Sequence, residues 1–216
     1  KPDVMYLTTT DYVQHKYAPH QPEAQAFYEM FDRYLTQLDA MGAAIVVTAD
    51  HGMKPKHDAN GEPSVIYVQD LLDEWLGEAA ARVILPITDP YVVHHGALGG
   101  FGTAYLPKDA DTADIIARLA ARPEILEVMD KAEAVKRFEL PADRIGDIVM
   151  ISTENMTIGT SAHRHDLAAL NEPLRSHGGL TEQEVPFIVN RVMDLPNEPV
   201  LRNFDAFFYA TTAAAL

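Results

Sequence analysis

No cysteine occurs anywhere in the 216 residues. That excludes a disulfide framework, a thiolate zinc site and a thiol nucleophile. Long apolar runs are missing too: none reaches the roughly 20 residues a membrane-spanning helix needs, and no secretory-signal pattern opens the sequence. Cations are scarce, with 17 Lys+Arg against 32 Asp+Glu and a formal net charge of −15 with histidine neutral. Such a field opposes neutralisation of a phosphate backbone, so nucleic acid is not an expected partner. It also slows the approach of a small anion unless bound cations reverse the local potential. A hydrophobic content of 47% beside 23% charged residues leaves enough apolar side chains for one filled core and a subsidiary lobe. No membrane partner is expected, and the composition is compatible with a cytoplasmic location.

The pattern of apolar residues then organises the chain. Asp3 to Thr8 (DVMYLT) reads as a short buried strand. From Glu23 to Met41 the spacing of Ala24, Phe27, Phe31, Leu35 and Leu38 predicts an amphipathic helix, with Glu23 in its first turn and Gly42 as its left-handed stop. Ala43 to Thr48 is a second strand. The three together predict a βαβ unit of a parallel sheet. Ser64 is the expected cap of a helix running through Leu76 and closed by Gly77. Strand character returns at 82–87 and twice within 92–106, followed by a helix over 111–121, a strand at 126–129, a helix over 131–138 and strands at 147–152 and 185–190.

The fold class expected from this order is α/β. Residues 1–79 would form part of a metal-binding core, 80–152 a smaller α/β insertion or cap-like lobe, and 153–216 a return to the core.

Chemistry-bearing residues stand where apolar runs meet loops, which is where open α/β sheets keep their sites. Asp11 and His15 follow VMYLTTT, Asp50 and His51 follow AAIVVTA, and His177 lies in SHGG. Taken singly, each has an ordinary explanation: an Asp-x-x-x-His pair is commonly a helix-capping aspartate beside a surface histidine. Two Asp and three His in such positions together suit zinc, which binds imidazole nitrogen and carboxylate oxygen. Sites of this composition also accept Mn²⁺, Fe²⁺ and Co²⁺.

TTTDYVQHKYAP, VVTADHGM and SHGG, in that order, resemble the alkaline phosphatase superfamily and its phosphodiesterase and nucleotide pyrophosphatase-like branch. The nearest likeness is to the phosphonoacetate hydrolases. The resemblance implies an alkaline-phosphatase-like, mostly parallel sheet flanked by helices. It implies two Zn²⁺ ions, one held by Asp11, His15 and His177, the other by Asp50 and His51, and a small anionic phosphonate as substrate. It further implies a threonine nucleophile and one more aspartate ligand, neither of which has a counterpart here; both are expected upstream of Lys1.

Two other functions stay open: nucleotide pyrophosphatase or phosphodiesterase action with the same metal motifs, and metal binding without catalysis. His163 and His165 are candidates for supporting the ligands. His94 and His95 read as a partly buried structural pair and Trp75 as core, while His57 with Asp58 reads as a solvated loop. Lys54 and Lys56, in a polar loop, read as solvated.

Overall fold

The computed structural model describes residues 2–87, 98–196 and 200–214. Along the chain run α1 (Tyr12–Lys16), α2 (Pro22–Ala40), β1 (Val46–Thr48), β2 (Lys54–Pro55), β3 (Val65–Tyr67), α3 (Val68–Leu76) and β4 (Arg82–Ile84). There follow β5 (Phe101–Tyr105), α4 (Thr112–Ala120), β6 (Ile125–Asp130), α5 (Lys131–Phe138), β7 (Ile148–Ser152) and β8 (Thr157–Gly159). Last come β9 (Arg175–Ser176), β10 (Phe187–Val189) and α6 (Ala206–Ala214). Contacts group the chain into two units, Lys1–Asp50 with Pro186–Leu216, and His51–Val185. No helix among the described residues is long and apolar enough to cross a membrane.

The second unit holds a four-stranded antiparallel sheet in the order β4-β5-β7-β6. Every residue of β7 is buried, because helices cover both faces of the sheet. Side chains alternate across a strand. Ile148 and Met150 therefore join Val68 and Leu72 of α3 and Ile115 and Leu119 of α4, while Val149 and Ile151 meet Ala134 of α5. Helix α4 starts where the Asp111 carboxylate accepts the Asp114 N–H at 3.1 Å, and α5 where Asp130 accepts the Glu133 N–H at 2.9 Å. Trp75 packs against the core of this unit, with the Arg118 guanidinium 3.9 Å over its ring.

Strand β3 pairs in parallel with β8, and the short β2 pairs antiparallel with β9. Parallel and antiparallel pairings with flanking helices make the fold α/β, as expected. The helix expected from Ser64 begins only at Val68; the preceding Val65, Ile66 and Tyr67 are strand. Their branched and aromatic side chains favour extended backbone, and the Ser64 carbonyl accepts the Thr157 N–H at 2.9 Å, committing the segment to β8.

In the first unit α2 runs almost as expected, and Gly42 ends it with φ +82. Strand β1 pairs with β10, and the pairing is antiparallel: Val47 lies opposite Ile188. The expected strand over Asp3 to Thr8 is not formed. Those residues are exposed, Tyr6 by 75% and Leu7 by 64%, and among the described residues no ladder includes them. A strand exists only where a neighbour takes its backbone N–H and C=O groups; an apolar run alone does not supply one. The βαβ unit is therefore absent among the described residues. The strand expected early in 92–106, with His94 and His95, falls largely outside them.

Candidate metal centre

In the first unit Asp11 sits at the N-terminal boundary of α1 and His15 at its fourth position, one helical turn apart. Their side chains meet, with Asp11 Oδ2 3.1 Å from His15 Nε2. His15 is 4% exposed and Asp11 is half-buried. Asp50, two residues beyond β1, is exposed.

In the second unit the His51 and His177 rings stack face to face, with centroids 3.5 Å apart and planes within 5° of parallel. The ladder that brings them together is only two residues long. Lys54 lies opposite Ser176 and Pro55 opposite Arg175, so β2 leads out of the His51 loop as β9 leads into His177. His51 Nδ1 lies 3.0 Å from the Gly52 carbonyl oxygen. A carbonyl only accepts, so Nδ1 carries the proton and the ring's lone pair resides on Nε2, the usual arrangement of a metal-binding imidazole.

Glycines make the His177 loop possible. Gly178 has φ +99, and the Gly100 N–H donates to the His177 carbonyl at 2.8 Å. A Cβ on Gly100 would lie 2.6 Å from the Gly179 nitrogen, so the two backbones approach as only glycine permits. Ser176 Oγ donates to the Leu98 carbonyl at 2.5 Å and holds the strand before the turn.

Beneath these loops lies a charged pair that the reading of Lys56 as solvated missed. Lys56 is 0% and Glu182 2% exposed, and Lys56 Nζ reaches Glu182 Oε1 at 3.0 Å. Lys56 Nζ also donates to the Glu154 carbonyl at 2.6 Å. Burial pushes the Lys56 ammonium below its ordinary 10.5, and the Glu182 carboxylate opposes that shift. Local composition gives no sign of this burial, because the partner stands 126 residues away. Lys54, by contrast, is partly exposed and pairs with Glu154 at 2.8 Å, which raises its pKa and lowers that of Glu154.

His165 and His57 have local partners. His165 Nε2 accepts the Thr160 N–H at 3.0 Å and lies near the Tyr67 ring. His163 is exposed in the single turn Ala162–Arg164. His57 Nδ1 donates to the Asp58 carbonyl at 2.8 Å, and Asp58 accepts the Asn60 and Glu62 N–H groups in a tight turn.

Two pairs are thus built, Asp11 with His15 and His51 with His177. The second joins one imidazole from each of the two ligand groups expected from the sequence. Carboxylate oxygen and imidazole nitrogen suit zinc chemically. The 3.1 Å between Asp11 Oδ2 and His15 Nε2 is close to the edge of about 3.3 Å that a tetrahedron with bonds of about 2.0 Å requires.

Residues 3–180 match the family model for type I phosphodiesterase / nucleotide pyrophosphatase. Two crystal structures of phosphonoacetate hydrolase from Sinorhizobium meliloti, one in complex with phosphonoformate and one with phosphonoacetate, are 76% identical to this chain. Each match covers 99% of this chain and 52% of that one, with a TM-score of 0.94. This chain therefore spans about half the length of that hydrolase. Murine ectonucleotide pyrophosphatase / phosphodiesterase 5 matches at 20% identity over 83% of this chain and 44% of its own, with a TM-score of 0.52, a likeness of fold.

Proposed function

Because this chain belongs to the type I phosphodiesterase / nucleotide pyrophosphatase family, we propose that it is part of a metal-dependent hydrolase converting phosphonoacetate and water to acetate and phosphate. The observation that carries the reading is the stacked His51–His177 pair, which brings one imidazole from each of the two expected ligand groups together with ring centroids 3.5 Å apart. The 76% identity to a protein named phosphonoacetate hydrolase supports the choice of substrate.

Asp11, His15 and His177 would hold one ion, and Asp50 and His51 the other, zinc in both places by their donor chemistry. Such ions would supply charge neutralisation for the phosphonate oxygens and Lewis acidity in a chain that is otherwise strongly anionic. His51 contributes a ring oriented by the Gly52 carbonyl, which engages Nδ1 and leaves Nε2 as the atom that would face an ion. Buried His15 contributes a ring already turned towards a carboxylate. The threonine nucleophile and the further aspartate ligand are assigned to the part of the longer relative that this chain does not span. When the carbon–phosphorus bond breaks, its electron pair goes to the methylene carbon. The adjacent substrate carboxylate delocalises the charge before protonation yields acetate. Residues 80–152 form a lobe inserted in the catalytic core, and His163 and His165 act as supporting groups.

The family description favours a second reading, hydrolysis of a phosphodiester or nucleotide pyrophosphate at the same site. Phosphate release from phosphonoacetate, compared with turnover of a nitrophenyl phosphodiester by the full-length protein with and without added zinc, separates the two. Zinc-dependent preference for phosphonoacetate is expected. Faster diester turnover transfers the assignment to the second reading. Metal binding with no turnover of either compound leaves a metal-binding protein without catalysis.

A further inference from the structure

Glu182 is bonded to both loops that carry the stacked imidazoles. Its backbone carbonyl accepts the N–H of Gly52, next to His51, at 2.6 Å. Its side-chain Oε2 accepts the N–H of Gly179, two residues from His177, at 2.7 Å. Its Oε1 accepts from Lys56 Nζ at 3.0 Å and from Thr181 Oγ1 at 2.5 Å. Lys56 in turn is fixed by the Glu154 carbonyl and, through its own backbone, by Leu174 and Ser64. A Cβ on Gly52 would lie 3.2 Å from the Glu182 carbonyl oxygen, so the His51 loop lies close against this residue.

A buried ion pair is a poor way to gain stability, since desolvating two charges costs about as much as their attraction returns, and an apolar pair of the same volume serves as well or better. An apolar side chain at position 182 cannot accept the Gly179 N–H. We propose that Lys56 and Glu182 are positioning residues: the pair clamps the His51 and His177 loops at one spacing and so sets the metal affinity of the two imidazoles. This rests on the reading that His51 and His177 are metal ligands. The clamp holds one turn of chain on each side, Gly52 through backbone and Gly179 through carboxylate, and the lysine donates to Oε1 and so keeps Oε2 aimed at the Gly179 N–H.

The test uses the full-length protein and three variants: K56M/E182L, which removes both the charge and the acceptor; K56M/E182Q, which removes the charge and keeps an acceptor for Gly179; and H51A. Zinc affinity is measured by competition with a chromophoric chelator, and amide hydrogen exchange of Gly52 and Gly179 is measured in chelator, where no metal contributes. K56M/E182L is expected to bind zinc about 10–100-fold more weakly, the range seen when groups that orient ligands are lost, and to lose protection at Gly179 first. K56M/E182Q is expected to recover most of both. Wild-type affinity and Gly179 protection in K56M/E182L would overturn the proposal. So would equal losses in the two double variants, which would mark a general packing role. Should K56M/E182L fail to fold, K56M/E182Q alone decides: wild-type protection at Gly179 supports the clamp, and its loss counts against it. Unchanged zinc affinity in H51A overturns the ligand assignment itself, while the exchange measurements still report on the clamp.

Discussion

His51 and His177 differ in how their rings are held, and substitution should reveal the difference. His51 is tethered through Nδ1 to the Gly52 carbonyl, whereas His177 takes its place from the turn made by Gly178 and from the Gly100 N–H on its own carbonyl. His51→Ala and His177→Ala should each weaken zinc binding by more than about a hundredfold, because groups that merely orient ligands account for about 10–100-fold. Chelator competition on the full-length protein checks this, and wild-type affinity in both variants would remove the pair from the metal site. Asp147 offers a pH-dependent test away from that site. The Leu106 N–H donates to its carboxylate at 2.9 Å and Lys131 Nζ approaches it at 3.1 Å, which together hold its pKa below the ordinary 3.8. The unfolded chain then binds more protons than the folded one just below that value, so the stabilisation is present above it and is lost as pH falls through the folded pKa. Urea midpoints compared near pH 6 and pH 3 should show a smaller acid-side drop for Asp147→Asn than for the wild type.

Among the elements, helices α2, α4 and α5 were legible because each writes its own rule locally. Apolar residues recur at helical spacing, Asp111 and Asp130 stand at N-terminal caps, and Gly42 stops α2. Asp111→Ala should therefore cost about 1 kcal/mol in urea unfolding. Strands were legible only where their partners lie among the described residues, as β7 does between β5 and β6. DVMYLT has the composition of a strand and, among the described residues, no ladder, so composition alone did not make it one. At the candidate site the order of Asp11, His15, Asp50, His51 and His177 could be read from the sequence, and so could the residues of the two pairs the structure builds; the Lys56–Glu182 pair could not, since its two halves stand 126 residues apart in the sequence, one in a polar loop and one in a single-turn helix. Gly100→Ala is the sharpest test of the His177 turn. Its new Cβ would meet backbone atoms of Gly179 at 2.6 and 2.8 Å, which cannot rotate away as a side chain would. A lowered melting temperature in chelator together with weaker zinc binding is expected; a variant unchanged in both would show that the turn tolerates displacement.

The molecule as a whole divides its apolar surface unevenly. Within the first unit Val4, Tyr6, Leu7, Phe207 and Phe208 are each more than half exposed, and the Tyr6 and Phe207 rings stack at 6.1 Å. Exposed apolar groups on this scale mark surfaces that bind something. If the full-length protein supplies the covering chain, the 216-residue chain alone should bind an apolar dye such as anilinonaphthalene sulfonate far more strongly per mole than the full-length protein does. Equal dye binding by the two would show that this surface stays open in the longer molecule.

The two-residue ladder between β2 and β9 has a consequence for time as well as for place. It joins segments more than a hundred residues apart with very few backbone bonds, so closing it early would cost chain entropy that only the finished sheet and helices between them can offset. The turn that pairs His51 with His177 is therefore expected to assemble last on the way to the native state and to part first on the way out. Hydrogen exchange should find the amides around Lys54 and Ser176 opening well before those of β7, and any ion gripped there would act as a latch on a gate that the rest of the unit has already hung.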